Sequence, residues 1–282
     1  MNNSWRDRSE RGSERLKRLI IWLAMHSGRA FCRALLVPIC AYFLVTAPRA
    51  RRASGEFLSR ALDRDATWRD SYRHLFVFAT TLLDRVFLLH GRHRDLEVTF
   101  DGERIFEKAI ASGRGCLLLG SHLGSFEMLA VVGSVERGLV INMVMHVEDT
   151  TGLRDLIART GRVTPYKVIA LGRPDSMLRV KECLDRGEVV GILADRVYGN
   201  EATQAVPFFG RPARFSLSPF RLARITGAPV VVVFGLFRSR RRYEIRFETL
   251  DAPQPAPYAA ILERTARRFP YNWFNFYDFW GL

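Results

Sequence analysis

The chain has 282 residues, 48% hydrophobic and 26% charged, which allows a sizeable packed core and excludes disorder as the main state. Its 43 Lys and Arg outweigh 29 Asp and Glu, for a formal charge of +14. A surface this basic suits nucleic acid, anionic lipid headgroups or an acidic protein partner.

In chain order, residues 1–14 form a polar, basic tail expected to be disordered, and 15–94 read as a helical region associated with a membrane. Within it the apolar stretch Ala34–Ala47 contains Pro38 and falls short of the about 20 residues a spanning helix needs. Arg33 precedes it, and Arg49, Arg51 and Arg52 follow. That pattern predicts a helix lying in, or dipping into, an anionic membrane face; a buried core helix is the alternative. No small-residue cleavage site follows, which argues against a secretory signal. A second amphipathic run brings Tyr72, Leu75, Phe76, Thr80, Leu83, Val86 and Phe87 near one helix face.

Residues 95–282 change character. Strand-like segments (LEVTFDG, GCLLLG, LVINMVMHV, YKVIAL, EVVGILAD, PVVVVFGLF, YEIRFETL) alternate with helical ones starting near Glu103, Ser125 and Leu153, then running from Met177 to Asp185 and from Phe220 to Thr226. The alternation predicts one α/β domain with a mixed, largely parallel central sheet flanked by helices. The cysteines Cys32, Cys40, Cys116 and Cys183 have no CxxC spacing and read as buried thiols, with no zinc site and no disulfide framework.

The stretch GCLLLGSHLGSFE carries the chemistry. An apolar run of this kind is a strand buried on both faces, and open α/β sheets hold their sites at the carboxyl edge of such strands. Gly120 and Gly124 allow a sharp turn there, and Ser125 is a good N-cap for the helix that follows. His122 is thereby placed before a helix N-terminus, whose positive end favours the neutral ring that accepts a proton. Glu127, in the first helical turn, is expected to reach back to the ring, select one tautomer and stabilise the imidazolium.

The SHLGSFE segment resembles the HX4(D/E) motif of the glycerolipid acyltransferase superfamily. Together with APRARRASGEFLSRAL, LADRVYGNEATQAVPFFGRPARFSLSPFRLARITGAPVVVVFGLF and PYNWFNFYDFW, it looks like the branch that adds secondary lauroyl or myristoyl chains to lipid A. The resemblance implies transfer from an acyl-thioester, on acyl carrier protein or coenzyme A, to a lipid hydroxyl, with His122 as general base and Glu127 assisting. It also implies an acidic carrier protein and membrane lipids as partners, and the cytoplasmic face of a bacterial inner membrane as location. No cofactor beyond the acyl-thioester co-substrate is expected.

In related enzymes the block holding Asp195 and Arg196 contributes to the acceptor or phosphate site. Arg196 is then expected to pair with a phosphate, with Asp195 fixing it; a purely structural pair is the alternative for Asp195. Phe208 and Phe209 beside Arg211 and Arg214 read as an apolar wall next to guanidinium groups, suited to an acyl chain on an anionic headgroup. Arg159, Arg162 and Arg173 are further candidates for anion contacts. His146 reads as a strand-end residue, and His90 and His93 lack a third ligand, so no metal site is expected. The G-S-H-L-G pattern is not a serine nucleophile elbow, so no acyl-enzyme is expected.

Three rival classes remain: a thioesterase, or an acyltransferase of a dedicated carrier-protein-dependent pathway for a specialised lipid; a structural membrane protein; and a nucleic-acid-binding module. Scattered basic residues without stacking aromatics or a phosphate loop argue against nucleic acid. The closing YNWFNFYDFW reads mainly as a tail packed on the core.

Overall fold

The structure, a computed structural model, describes residues 14–92, 95–146, 166–173 and 175–281. Residues 1–13 of the expected tail, the helix expected from Leu153, Arg159, Arg162 and His93 lie outside the described residues.

Three helices come first: α1 (Glu14–Thr46), α2 (Pro48–Leu62) and α3 (Trp68–Leu89). Strands and helices then alternate as β1 (Glu97–Asp101), α4 (Glu103–Ile110), β2 (Cys116–Gly120), α5 (Phe126–Arg137), β3 (Ile141–His146), β4 (Lys167–Leu171), α6 (Ser176–Asp185) and β5 (Val189–Leu193). A hairpin of β6 (Thr203–Phe208) and β7 (Arg211–Ser216) leads to α7 (Ser218–Thr226), β8 (Val230–Ser239), β9 (Arg242–Thr249) and α8 (Pro255–Arg268).

Seven strands make one sheet in the order β1-β9-β8-β2-β5-β3-β4. β8, β2, β5, β3 and β4 run parallel, while β9 pairs antiparallel with β8 and β1 runs parallel to β9. β2 is central and wholly buried. Because strand side chains alternate, Leu117 and Leu119 enter one core with α2, α6, α7 and α8. Cys116 and Leu118 enter the other, with α3, α4 and α5. This is the mixed, largely parallel sheet that the alternation predicts. All four cysteines are free and buried.

The N-terminal helices are built into the domain. Thr67 caps α3, and Asp70 completes a capping box with it while holding Arg64 at 2.9 Å and the Tyr271 hydroxyl at 2.8 Å. α1 kinks at Gly28 (φ 76°), and the stretch Ser27–Thr46, 20 residues, is by length and composition apolar enough to cross a membrane. The expectation of too short a stretch is thereby corrected: the helix extends back through residues 29–33, whose arginines interrupt the apolar pattern in the sequence. Arg29 grips Asp84 of α3 in a two-pronged ion pair (Nη2–Oδ2 2.8 Å), and Tyr243 donates to the same carboxylate at 2.8 Å. Arg33 donates to the Arg240 carbonyl at 2.8 Å. These two arginines face the protein, while Phe31, Val37, Tyr42 and Val45 are exposed along α1.

His74 of α3 is fully buried between Ser54 of α2 (2.9 Å at Nδ1) and the Trp273 carbonyl (2.8 Å at Nε2). Burial lowers its pKa to about 4, against the weaker pull of the Trp273 carbonyl. Between about pH 6.5 and 4 the unfolded chain binds a proton at this residue and the folded chain does not. Its contribution is therefore intact above that pH and declines as pH falls toward about 4, by roughly 3 kcal/mol. Urea melts at pH 7 and 4.5 are expected to show this loss in the wild type. His74→Gln, which keeps a donor but does not titrate, is expected to lose less on acidification; an unchanged acid dependence would contradict the assignment.

Candidate active site

β2 brings the chain to the carboxyl edge of the sheet and the turn after it is held from both sides. The Gly120 carbonyl accepts from Ala194 N–H (3.0 Å) and from the Tyr258 hydroxyl (2.6 Å). Gly124 has φ +83°, and a Cβ there would lie 2.1 Å from the Gly235 oxygen on β8. That close approach lets Ser125 N–H donate to Gly235 at 2.7 Å, and the Ser125 side chain then caps α5 at Met128 N–H (3.3 Å). The turn, strand and cap are those expected from GCLLLGSHLGSFE.

His122, in this turn, meets Asp195 just beyond β5, the neighbouring strand. Its Nδ1 lies 2.8 Å from Asp195 Oδ1, and its backbone N–H donates to Oδ2 at 2.9 Å. The Trp273 indole N–H donates to Oδ2 as well, at 3.0 Å. Asp195 is 1% exposed. Burial pushes its pKa up, but the His122 charge and hydrogen bonds, with the Arg196 charge, more than offset this and hold the carboxyl below its usual value. A carboxylate at Nδ1 assigns the proton to that nitrogen, leaving Nε2 with a lone pair.

His122 lines a cavity of about 460 Å³, within the size range of small-molecule sites. Phe78 and Leu82 of α3, Met143 and Met145 of β3, Leu193 and Phe276 supply apolar wall; Arg85, Glu127 and Arg196 supply charge. Glu127 is not the carboxylate on the ring. It pairs with Arg85 of α3 (2.8 Å), and the orienting position expected for it belongs to Asp195. The correction has a simple cause: the first turn of α5 faces α3, whereas the β5 loop lies directly beside the His122 turn.

Residues 64–263 match the profile of the bacterial lipid A biosynthesis acyltransferases. The chain belongs to that family. Its activity is acyl transfer of the lipid A type. Comparison with curated proteins finds no match.

The other expected site residues of this acyltransferase divide by location. Arg196 reaches the cavity wall, its guanidinium 5.6 Å from the Tyr277 ring and donating to the Phe274 carbonyl (3.4 Å). Asp195, expected to fix Arg196, is instead buried with its hydrogen bonds going to His122 and Trp273. Phe208 and Phe209 are also buried and do not line the cavity. They pack with Trp273, Phe279 and Trp280 in an aromatic cluster that adjoins Asp195 through the Trp273 indole, because this stretch is the β6–β7 hairpin. Arg211, also outside the cavity, pairs with Glu56 of α2 (3.2 Å). Arg214 on β7 and Arg173 after β4 are exposed and off the wall. Among the described residues no His, Cys, Asp or Glu cluster suited to a metal ion is present.

Nothing in the sequence marks Arg85, which sits in the N-terminal helical region; its place on the α3 face toward α5 brings it to Glu127. Removing it strands the Glu127 charge in a mostly apolar cavity. Arg85→Met is expected to lower stability by about 1–2 kcal/mol in urea melts, allowing for partial exposure of the pair. Adding Glu127→Gln is expected to restore part of that loss. Strictly additive losses would show the two side chains to be uncoupled.

Proposed function

We propose that this acyltransferase moves a fatty acyl chain from an acyl-thioester, carried on acyl carrier protein or coenzyme A, to a hydroxyl of a lipid A-like or other glycolipid acceptor. The observation that carries the reading is a histidine with Nδ1 tied to a buried carboxylate, its side chain part-exposed, in the wall of a largely apolar cavity.

His122 Nε2 takes the proton of the acceptor hydroxyl as that oxygen attacks the thioester carbonyl carbon. The carbonyl π pair moves onto oxygen, forming a tetrahedral intermediate. Its collapse restores the carbonyl and breaks the C–S bond, and imidazolium returns the proton to the departing thiolate. One ester and one thiol result, with no redox change and no acyl-enzyme. Asp195 stabilises the imidazolium between the two transfers, as a buried carboxylate does for a catalytic base. A base so placed contributes about 10² to 10⁴ in rate.

Glu127, held by Arg85, and Arg196 are the polar groups we assign to the acceptor and to phosphate-bearing parts of either substrate. The apolar wall from α3 and β3 takes hydrocarbon. The exposed apolar face of α1, with the net charge of +14, suits the anionic cytoplasmic face of an inner membrane. The same charge suits an acidic carrier protein.

Incubation with labelled acyl carrier protein and a membrane lipid extract, read by mass spectrometry, tests the reading. Labelled lipid ester is expected, and His122→Ala is expected to abolish it by at least about 10²-fold with circular dichroism unchanged. Release of free fatty acid independent of lipid would show a thioesterase instead. Full transfer by His122→Ala would remove the proposed base.

A further inference from the structure

The segment after α8 lies beyond the family match, which ends at residue 263. Residues 270–272 form a single 3-10 turn, and the chain then runs against the His122 turn. Gly124 N–H donates to the Asn272 carbonyl (2.8 Å) and Phe274 N–H to the His122 carbonyl (2.9 Å), on either side of an antiparallel bridge between Leu123 and Trp273. The Asn272 side chain locks this strap to β8, accepting from Phe237 N–H (2.8 Å) and donating to its carbonyl (3.1 Å).

A buried tryptophan needs an acceptor for its one N–H. Trp273 is 1% exposed, and its acceptor is the carboxylate that carries His122. The other two donors to that carboxylate both come from His122, so Trp273 is the outside anchor among the described residues. Its backbone carbonyl accepts from His74, which Ser54 holds in turn. The strap thus links α2 and α3 to Asp195.

We propose that Trp273 is a positioning residue for acyl transfer: its indole N–H fixes the plane of the Asp195 carboxylate, and through it the tautomer and direction of His122, with His74 anchoring the strap. The proposal rests on His122 being the base. Without the indole donor, Asp195 becomes the stronger partner for imidazolium, which moves the acid limb of the pH–rate profile upward. The charged and titratable groups facing Asp195 are His122, Arg196 of its own loop, Tyr258 of α8 and Tyr277 of the strap. Trp273→Phe alters none of them, so a shift reports the indole.

The test uses Trp273→Phe in the full chain, with kcat and KM for acyl carrier protein-bound acyl chain and lipid acceptor measured over about pH 5–9. Rates are normalised to folded protein by circular dichroism. Expected are a kcat about tenfold lower, KM values little changed, an acid limb at higher pH, and no further loss when the substitution is added to Asp195→Asn. Wild-type kcat and profile, or a loss that multiplies with that of Asp195→Asn, overturns the proposal. His122→Ala separates the levels. If it is inactive while Trp273→Phe behaves as wild type, only the strap's role falls; if it is active, both readings fall. Should Trp273→Phe not fold, His74→Leu and His74→Gln carry the test. Leu is expected to lower kcat several-fold at constant KM, and Gln, with a donor near the same place, to restore it; equal rates for the two variants overturn the proposal.

Discussion

Everything at the site depends on one buried carboxylate and the three hydrogen bonds it accepts. An ionised group removed from water is tolerated only where donors and opposite charge replace the lost hydration. For Asp195 the replacement comes from His122 and Trp273, segments far apart in the chain. The demand therefore constrains the whole fold. β2 and β5 are neighbours with Gly120 opposite Leu193, which sets their following loops side by side. The chain after α8 must return across both loops to deliver an indole.

Further polar contacts tie the N-terminal helices to the α/β part of the chain. Arg29 on α1 meets Asp84 on α3, Asp70 meets Tyr271, and His74 meets the Trp273 carbonyl. α3 consequently has one side toward α1 and another toward the cavity, to which it contributes Phe78, Leu82 and Arg85. Leu82 is both exposed and part of the cavity wall, so the apolar lining reaches the surface on the α3 side. Apolar surface from Leu82 and Phe78 of α3 therefore leads into the cavity that His122 lines.

Much of the sheet could be read from the residues because short β-branched runs bounded by glycine and polar turns leave few alternatives. The His122 turn was legible for the same reason: a buried strand, Gly124 and a serine cap agree with one another. The partner of His122 was not. Glu127 is near in sequence but its helix turns it toward Arg85, whereas Asp195 is adjacent only through strand pairing. The β6–β7 hairpin was missed because Pro207, Gly210 and Pro212 interrupt its alternation, and so Phe208 and Phe209 were taken for a substrate wall. On α3, Leu83 and Phe87 follow the apolar period, whereas Ser71, His74 and Asp84 are buried polar residues that such a period does not mark.

Asp195 at Nδ1 makes His122 the tautomer with a proton on Nδ1 and a bare Nε2. Long-range ¹H–¹⁵N NMR of the imidazole, assigned by comparison with His122→Ala, measures this without any assay of turnover. In the neutral ring the proton is expected on Nδ1, with Nε2 the acceptor nitrogen and that pattern lost in Asp195→Asn. A ring protonated at Nε2, or a wild-type pattern that survives Asp195→Asn, would contradict it.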